Sequence, residues 1–351
     1  MIIFVKFYIL LRKIFLIIIS AYILSCWQVF AQRGGTSVFD LLNLPQSARI
    51  GALGGNQVGL YGHDLAMLIN NPAMLDSALT KYVTVSYTPY IADIGFGYAA
   101  YSQTFDKIGN FALSFYHVGY GDFISADETG LILGTFTVNE SVIHLVYSRK
   151  ILPKIHVGAS IKPVFSRIEI YNSWGLAFDA GLFYSSESGL TTAGAVLRNV
   201  GRQMNPYHET IESTRPDFQI GFATKLAHAP FRFSVTMQDI FSGSLLYVVK
   251  DENINPYYID ENALKGNFGN DLMRRFTFGV EFVPTKNFYV AAGYNFRRRQ
   301  EMKIEEKLST VGFSWGFGVK VYKFNLSYGS ARYHLAGTSN HFSISTCLSA
   351  F

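Results

Sequence analysis

The chain has 351 residues, a formal net charge of +5, only 16% charged residues, 16% aromatic residues and 31 glycines. That mixture excludes intrinsic disorder, which needs high charge and few aromatics. The basic residues are scattered, so they make no face for nucleic acid, and the length suits one large domain or two ordinary ones.

The first residues read as an export signal. Lys6, Arg12 and Lys13 are a positive start, Ile14 to Leu24 a short apolar core, and Val29-Phe30-Ala31 a small-x-small cleavage site. This predicts a signal peptide over 1–31 and a mature chain starting at Gln32. The apolar run is shorter than a spanning helix needs. Lipoprotein processing at Cys26, within Ile23-Leu24-Ser25-Cys26, is the alternative. After cleavage at Ala31 the remaining cysteine is Cys347, so the mature chain has no internal disulfide. No Cys/His cluster has zinc spacing.

Residues 32–80 come next, and their stretch Asn43 to Leu75 does not read as strand and turn. Gly54-Gly55 suits a tight bend. Leu65 to Ile69 reads as a short helix-like run. Pro72 biases Asn71 away from helix, so Asn70-Asn71-Pro72 is expected to end this segment shortly before the first strand.

From Tyr82 to the last residue the dominant signal has a period of two. In Val311-Phe313-Trp315-Phe317-Val319 one face is apolar, and Gly312, Ser314, Gly316 and Gly318 make the other. The same pattern recurs at Phe288 to Phe296, Phe276 to Phe282, Phe231 to Met237, Ile155 to Ile161 and Phe111 to Phe115. It divides residues 81–351 into about 14 strands, over 82–89, 93–105, 110–119, 139–150, 154–169, 174–185, 190–201, 216–227, 231–241, 272–283, 287–298, 307–319, 322–333 and 339–350. Glycine on the small face is expected where a curved sheet closes on itself.

A soluble sandwich also alternates wet and dry faces, but three features favour a transmembrane barrel. Many strands have the length that a tilted spanning strand needs. The connections after even-numbered strands are tight, whereas several after odd-numbered ones are long (120–138, 202–215 and 242–271), as in outer-membrane barrels with a periplasmic N-terminus. The chain also ends in a strand and a terminal aromatic, Phe351. Lipid satisfies no backbone donor, so a spanning sheet must close. The expected fold is all-β, a 14-stranded antiparallel transmembrane barrel with residues 32–80 as a plug.

No catalytic set emerges. The histidines are dispersed, and a Ser near a His in a barrel is expected by chance. Gly51-Ala52-Leu53-Gly54-Gly55 follows no strand and precedes no Walker lysine, so it reads as a bend and not a phosphate cradle. No cofactor or metal is expected. Lys162, Asp179, Arg198, Lys225, Arg232, Gln238, Glu281 and Asn295 are assigned to the inward face, as a hydrated or plugged interior. The 242–271 loop, with Tyr247, Tyr257 and Tyr258, is the candidate partner-docking loop.

One stretch is specific enough to suggest relatives. Ser47-Ala48-Arg49, Ala52-Leu53-Gly54-Gly55, Asp64 and Asn70-Asn71-Pro72-Ala73-Met74-Leu75 resemble the N-terminal signature of the FadL-related outer-membrane barrels of Bacteroidota. The preceding Gly34 to Pro45 resembles the PorQ branch, within the PorV/PorQ group of type IX secretion. The resemblance covers the mature chain in length and organisation, with its motifs in about the first fifth. It implies a non-enzymatic outer-membrane component that holds a PorZ-type surface protein, with PorU and PorV as the wider complex. Lipopolysaccharide would surround it. A FadL-like transporter of hydrophobic molecules is the alternative that the same resemblance leaves open.

Overall fold

The structure is a computed structural model that describes residues 37–90, 93–242, 245, 268–302, 310–334 and 337–351. The signal peptide expected over 1–31, and Tyr247, Tyr257 and Tyr258, lie outside the described residues.

The sheet is a closed barrel of β1 (Tyr82–Pro89), β2 (Gly95–Phe105), β3 (Gly109–Ala126), β4 (Ile132–Leu152), β5 (Ile155–Ile168), β6 (Tyr171–Ser185), β7 (Thr191–Asn205), β8 (Asp217–Lys225), β9 (Phe231–Met237), β10 (Phe276–Thr285), β11 (Phe288–Asn295), β12 (Phe313–Val321), β13 (Phe324–His334) and β14 (Gly337–Cys347). Each strand pairs antiparallel with the next. β1 then closes on β14, with Val85 opposite Ile344. The period-two rows explain the closure. Phe111, Leu113 and Phe115 are exposed on the outer face, as are Phe313, Trp315 and Phe317. The residues between them, such as Ser114 and Ser314, are buried inside. An outward apolar band over a polar interior is the pattern lipid demands. The described residues contain no helix long and apolar enough to cross a membrane.

Several sequence expectations need correction. The 120–138 segment, expected to be a loop, is mostly the continued β3–β4 hairpin, which rises above its neighbours. Both its faces are exposed, so the inside/outside contrast that marks a spanning strand is missing there. Val311 is fully buried and leaves the outer row, because Gly312 turns the chain at φ 92°. The strand expected over 287–298 stops at Asn295, and Phe296–Met302 forms a helix that carries Arg297, Arg298 and Arg299. β14 ends at Cys347, and Leu348–Ala350 is a 3-10 turn that sets Phe351 against Phe324, with ring centroids 5.7 Å apart.

Candidate functional site

The segment before β1 lies inside the barrel as a chain of short helices: η1 (Asp40–Asn43), α1 (Ala48–Ala52), η2 (Leu65–Ile69), η3 (Pro72–Met74) and η4 (Ser77–Leu79). Their walls differ. α1 packs on β11 to β14, η2 on β1 and β2, and η3 on β4, β5 and β6. Together they line β1, β2, β4 to β6 and β11 to β14. The expected helix-like run at Leu65–Ile69 is a fully buried 3-10 helix. Pro72 does not end the segment. It occupies the first turn of η3, where its missing N–H costs nothing, and the segment continues through η4.

Side chains of the motif cap these helices. Ser47 Oγ accepts from Ile50 N, while donating to Asp64 Oδ2 at 2.5 Å. Asp64 Oδ1 caps η2 through Ala66 N, 2.9 Å away. Asn71 Oδ1 caps η3 through Ala73 N at 3.0 Å. Asn71 Nδ2 reaches outward to Leu182 O on β6 at 3.0 Å, and also to Val58 O. Asn71 is fully buried, so Asn71→Ala removes a cap worth about 1 kcal/mol and leaves buried carbonyls unpaired, for a total near 2–3 kcal/mol. Limited proteolysis of the plug in detergent micelles should show faster cleavage in this variant. Burial pushes the Asp64 carboxyl above its ordinary range, against the hydrogen bonds from Ser47 and Ala66.

The wall is shaped to admit this backbone. Gly158, Gly181, Gly194, Gly221, Gly279, Gly293, Gly316 and Gly329 form a belt on the inner face. They oppose one another in the ladders as Gly158–Gly181, Gly194–Gly221, Gly279–Gly293 and Gly316–Gly329. A Cβ on Gly329 would stand 2.1 Å from Ala48 O, and one on Gly293 would stand 2.3 Å from Leu53 C. At Gly158 the obstruction is the Pro72–Ala73 backbone, and at Gly194 it is Val58 O. Gly158, Gly194, Gly221, Gly293 and Gly329 are therefore where the plug backbone touches the wall, and Gly181, Gly279 and Gly316 admit plug side chains, a more specific reason than the curvature expected from sequence. Gly54 and Gly55 adopt φ 97° and 93° and turn the chain after α1. Asn295 Nδ2 donates to Gly54 O at 3.0 Å.

Two buried ionic ties add to this contact. Arg49 of α1 makes a bidentate pair with Glu281 of β10, Nε to Oε1 at 2.6 Å and Nη2 to Oε2 at 2.8 Å. Arg232 of β9 reaches the same carboxylate at 3.0 Å. Burial penalises the Arg49 guanidinium, but Glu281 more than offsets this and holds Arg49 above its ordinary pKa. The second tie is Lys162 on β5 with Asp179 on β6, 2.7 Å apart with both side chains sealed from solvent. Lys162 also donates to Asn199 Oδ1, and Asn199 Nδ2 donates to Asn43 Oδ1 of the plug at 3.0 Å. Arg198 Nη2 donates to Leu42 O at 3.1 Å.

The structure thus brings Ser47, Ala48, Arg49, Gly54, Gly55, Asp64, Asn70, Asn71, Pro72 and Ala73 together in one buried body. Sequence reading placed Glu281 and Asn295 on the inner face but did not pair them with the plug. The available signal was charge: a lone acidic residue on an otherwise small, uncharged face, with an arginine in the segment destined for the lumen.

A cavity of about 360 Å³ lies above the plug at the end carrying the long loops, lined by Arg198, Arg215, Asp217, Asp239, Arg297 and Arg298 among others. A second, of about 480 Å³, lies below it at the short-turn end, between Tyr61, Asp76 and the tips of β4 to β7. Both have mixed polar and apolar linings. The apolar hollows, of about 390 and 520 Å³, lie between aromatics of the outer face. Buried His144 pairs with Ser114, and His341 with Thr88 and Ser339, as wall contacts within the ladders.

No protein-family model matches the chain, and no curated protein matches it. Solved structures do. The Pseudomonas putida toluene transporter TodX aligns with a TM-score of 0.53 at 12% identity, over 88% of this chain and 99% of that one. A TodX monoaromatic hydrocarbon channel deltaS2 mutant aligns with a TM-score of 0.50 at 12% identity, over 88% and 98%. A Pseudomonas aeruginosa FadL homologue has a TM-score of 0.47 at 10% identity, over 86% and 97%. The chain therefore has the fold of the TodX barrel, closed by 14 strands and entered by a short helical N-terminal segment.

Proposed function

We propose that the chain is a non-enzymatic outer-membrane anchor, a PorQ-like component of type IX secretion. In this reading the N-terminus and short turns face the periplasm. The long-loop end holds a PorZ-type protein at the cell surface, with PorU and PorV in the wider complex. The observation that carries it is the filled lumen. Plug segments lie against the glycine belt, and two cavities with mixed polar and apolar linings lie on opposite sides of the plug. A bore so occupied leaves the rim and outer face as working surfaces. The resemblance of Gly34 to Pro45 supports the branch assignment. The test is a deletion strain. The expected result is release of the PorZ-type protein from the surface and accumulation of cargo that still carries its signal domain. Normal attachment of cargo and full retention of that protein would overturn the reading.

The comparison with solved structures favours a second reading, a FadL-like transporter of hydrophobic molecules, because the barrel of like shape is named a toluene transporter. It predicts competitive binding of a fatty acid or monoaromatic probe to the purified barrel and slower uptake in the deletion strain. Absence of both would remove it.

A further inference from the structure

The β3–β4 hairpin continues beyond the sheet that supports it. β2 begins at Gly95, opposite Gly119, and β5 ends at Ile168, opposite Val138. The outward apolar row of β3 ends at the exposed His117, which is hydrogen bonded to Ser141. Beyond Gly119 and Val138 the two strands have only each other as ladder partners among the described residues. From Gly119 to Ala126 the ribbon rises roughly 20 Å at the usual strand repeat.

The ribbon is built without a partner. Phe123 and Phe136 stack across it at 5.4 Å. At the tip, Asp127 Oδ1 accepts from Thr129 N, Thr129 Oγ1 and Leu131 N, and Asp127 N donates to Leu131 O. Yet it presents Ile124, Ile132 and Leu133, each 66% exposed, and Ile170 of the adjacent β5–β6 turn is 74% exposed. Its edge is open too. Glu169 N donates to Thr137 O, so the polar backbone groups of Thr137 point away from β3. Two residues along, those of Thr135 point the same way, above the place where β5 stops. An exposed edge is normally protected by Lys, Pro or inward charge. Between Tyr120 and Val138 there is no Lys, Arg, His or Pro, and the charged residues are Asp122, Asp127 and Glu128.

We propose that the β4 edge of this ribbon docks an extended segment of a surface protein that carries basic residues, by strand addition beside Thr135. The backbone groups of Thr135, without a ladder partner among the described residues, select an extended chain, the exposed Ile124, Ile132 and Leu133 side chains offer apolar contacts, and the three carboxylates select positive charge. The same carboxylates repel an anionic lipopolysaccharide surface, which disfavours a ribbon lying on the membrane. The proposal rests on the orientation in the anchor reading, with the long-loop end outside.

The test uses the full chain in its native outer membrane, with a photoreactive amino acid at Ile132. The expected product is an adduct with a protein, and a Thr135→Pro change removes it. Thr135→Pro deletes an outward N–H and leaves the β3–β4 ladder intact, so heat-dependent gel mobility stays unchanged while adduct yield falls about tenfold or more. Asp122→Lys with Glu128→Lys should lower the yield in the same way. An adduct only with lipopolysaccharide, only with a second copy, or unaffected by Thr135→Pro overturns the proposal, as does no adduct. Failure of the anchor reading looks different. In that case a strand-dependent adduct forms with a protein unrelated to type IX secretion. Conversely, if deleting the barrel releases the PorZ-type protein and the ribbon variants do not, the ribbon inference falls and the anchor reading stands.

Discussion

Arg49→Ala is expected to loosen the plug and open the barrel to ions. The substitution leaves Glu281 buried at 1% exposure, with only the partly exposed Arg232 beside it. Breaking a buried pair by removing one partner costs about 3–5 kcal/mol where the remaining charge is left uncompensated, and the Arg232 bridge to Glu281 at 3.0 Å places the expected cost at the low end of that range. Arg49 also stacks over Tyr289 and donates to Tyr61 O, so its loss frees a buried carbonyl and a packing face. In planar bilayers the wild-type barrel should be nearly silent, and the variant should show ionic steps. Arg49→Ala with Glu281→Ala should recover part of the lost stability, because the fully buried carboxylate is gone and the charge left without that partner, Arg232, is partly exposed. A variant that stays silent and resists heat like the wild type would show that the pair does not hold the plug.

A comparable effect is expected from the glycine belt. Gly293→Val would place its Cβ 2.3 Å from Leu53 C and 2.4 Å from Gly54 N, both backbone atoms that cannot rotate aside. Overpacking usually costs about 1–3 kcal/mol and more where backbone must move. Gly329→Leu meets Ala48 O in the same way. The informative measurement is the contrast with Gly97, where a Cβ would find nothing within 4 Å. Gly97→Ala should leave melting temperature and conductance unchanged, whereas the belt variants lower the first and raise the second. Equal behaviour of all three would refute the belt as a seat for the plug.

The barrel was legible because a period of two records which face meets hydrocarbon, and Phe, Leu and Trp rows persist wherever lipid is outside. Legibility ends where that contrast ends. Residues 120–138 continue as strands with solvent on both sides, so nothing in their alternation distinguishes ribbon from loop. Gly312 turns Val311 inward although its spacing fits the row. The motif segment was legible as a bend and a lumen-filling run, because Gly54-Gly55 and Pro72 constrain the backbone locally. Its attachments were not. Arg49 meets Glu281 across 232 positions of chain, and only closure of the sheet brings them together. The helical turn at Arg297 to Arg299 was missed for a related reason: Arg297 is drawn to Asp239, 2.7 Å away on another connection.

Among the described strands, the pairing of β1 with β14 is the one that joins the first strand to the last, and the plug grips both of its sides. Leu65 N donates to Thr84 Oγ1 on β1, at 3.1 Å. On β14, Ser343 Oγ accepts from Ala48 N at 2.9 Å, and Ser345 Oγ donates to His63 O at 3.0 Å. Ser86 and Ser343 meet across the join itself at 2.8 Å. The seam is thus cross-stitched from within. It cannot unzip sideways without pulling stitches from the segment it encloses, and that segment cannot leave while the seam is shut. Sealing the bore and keeping the hoop closed are one mechanical property of this chain.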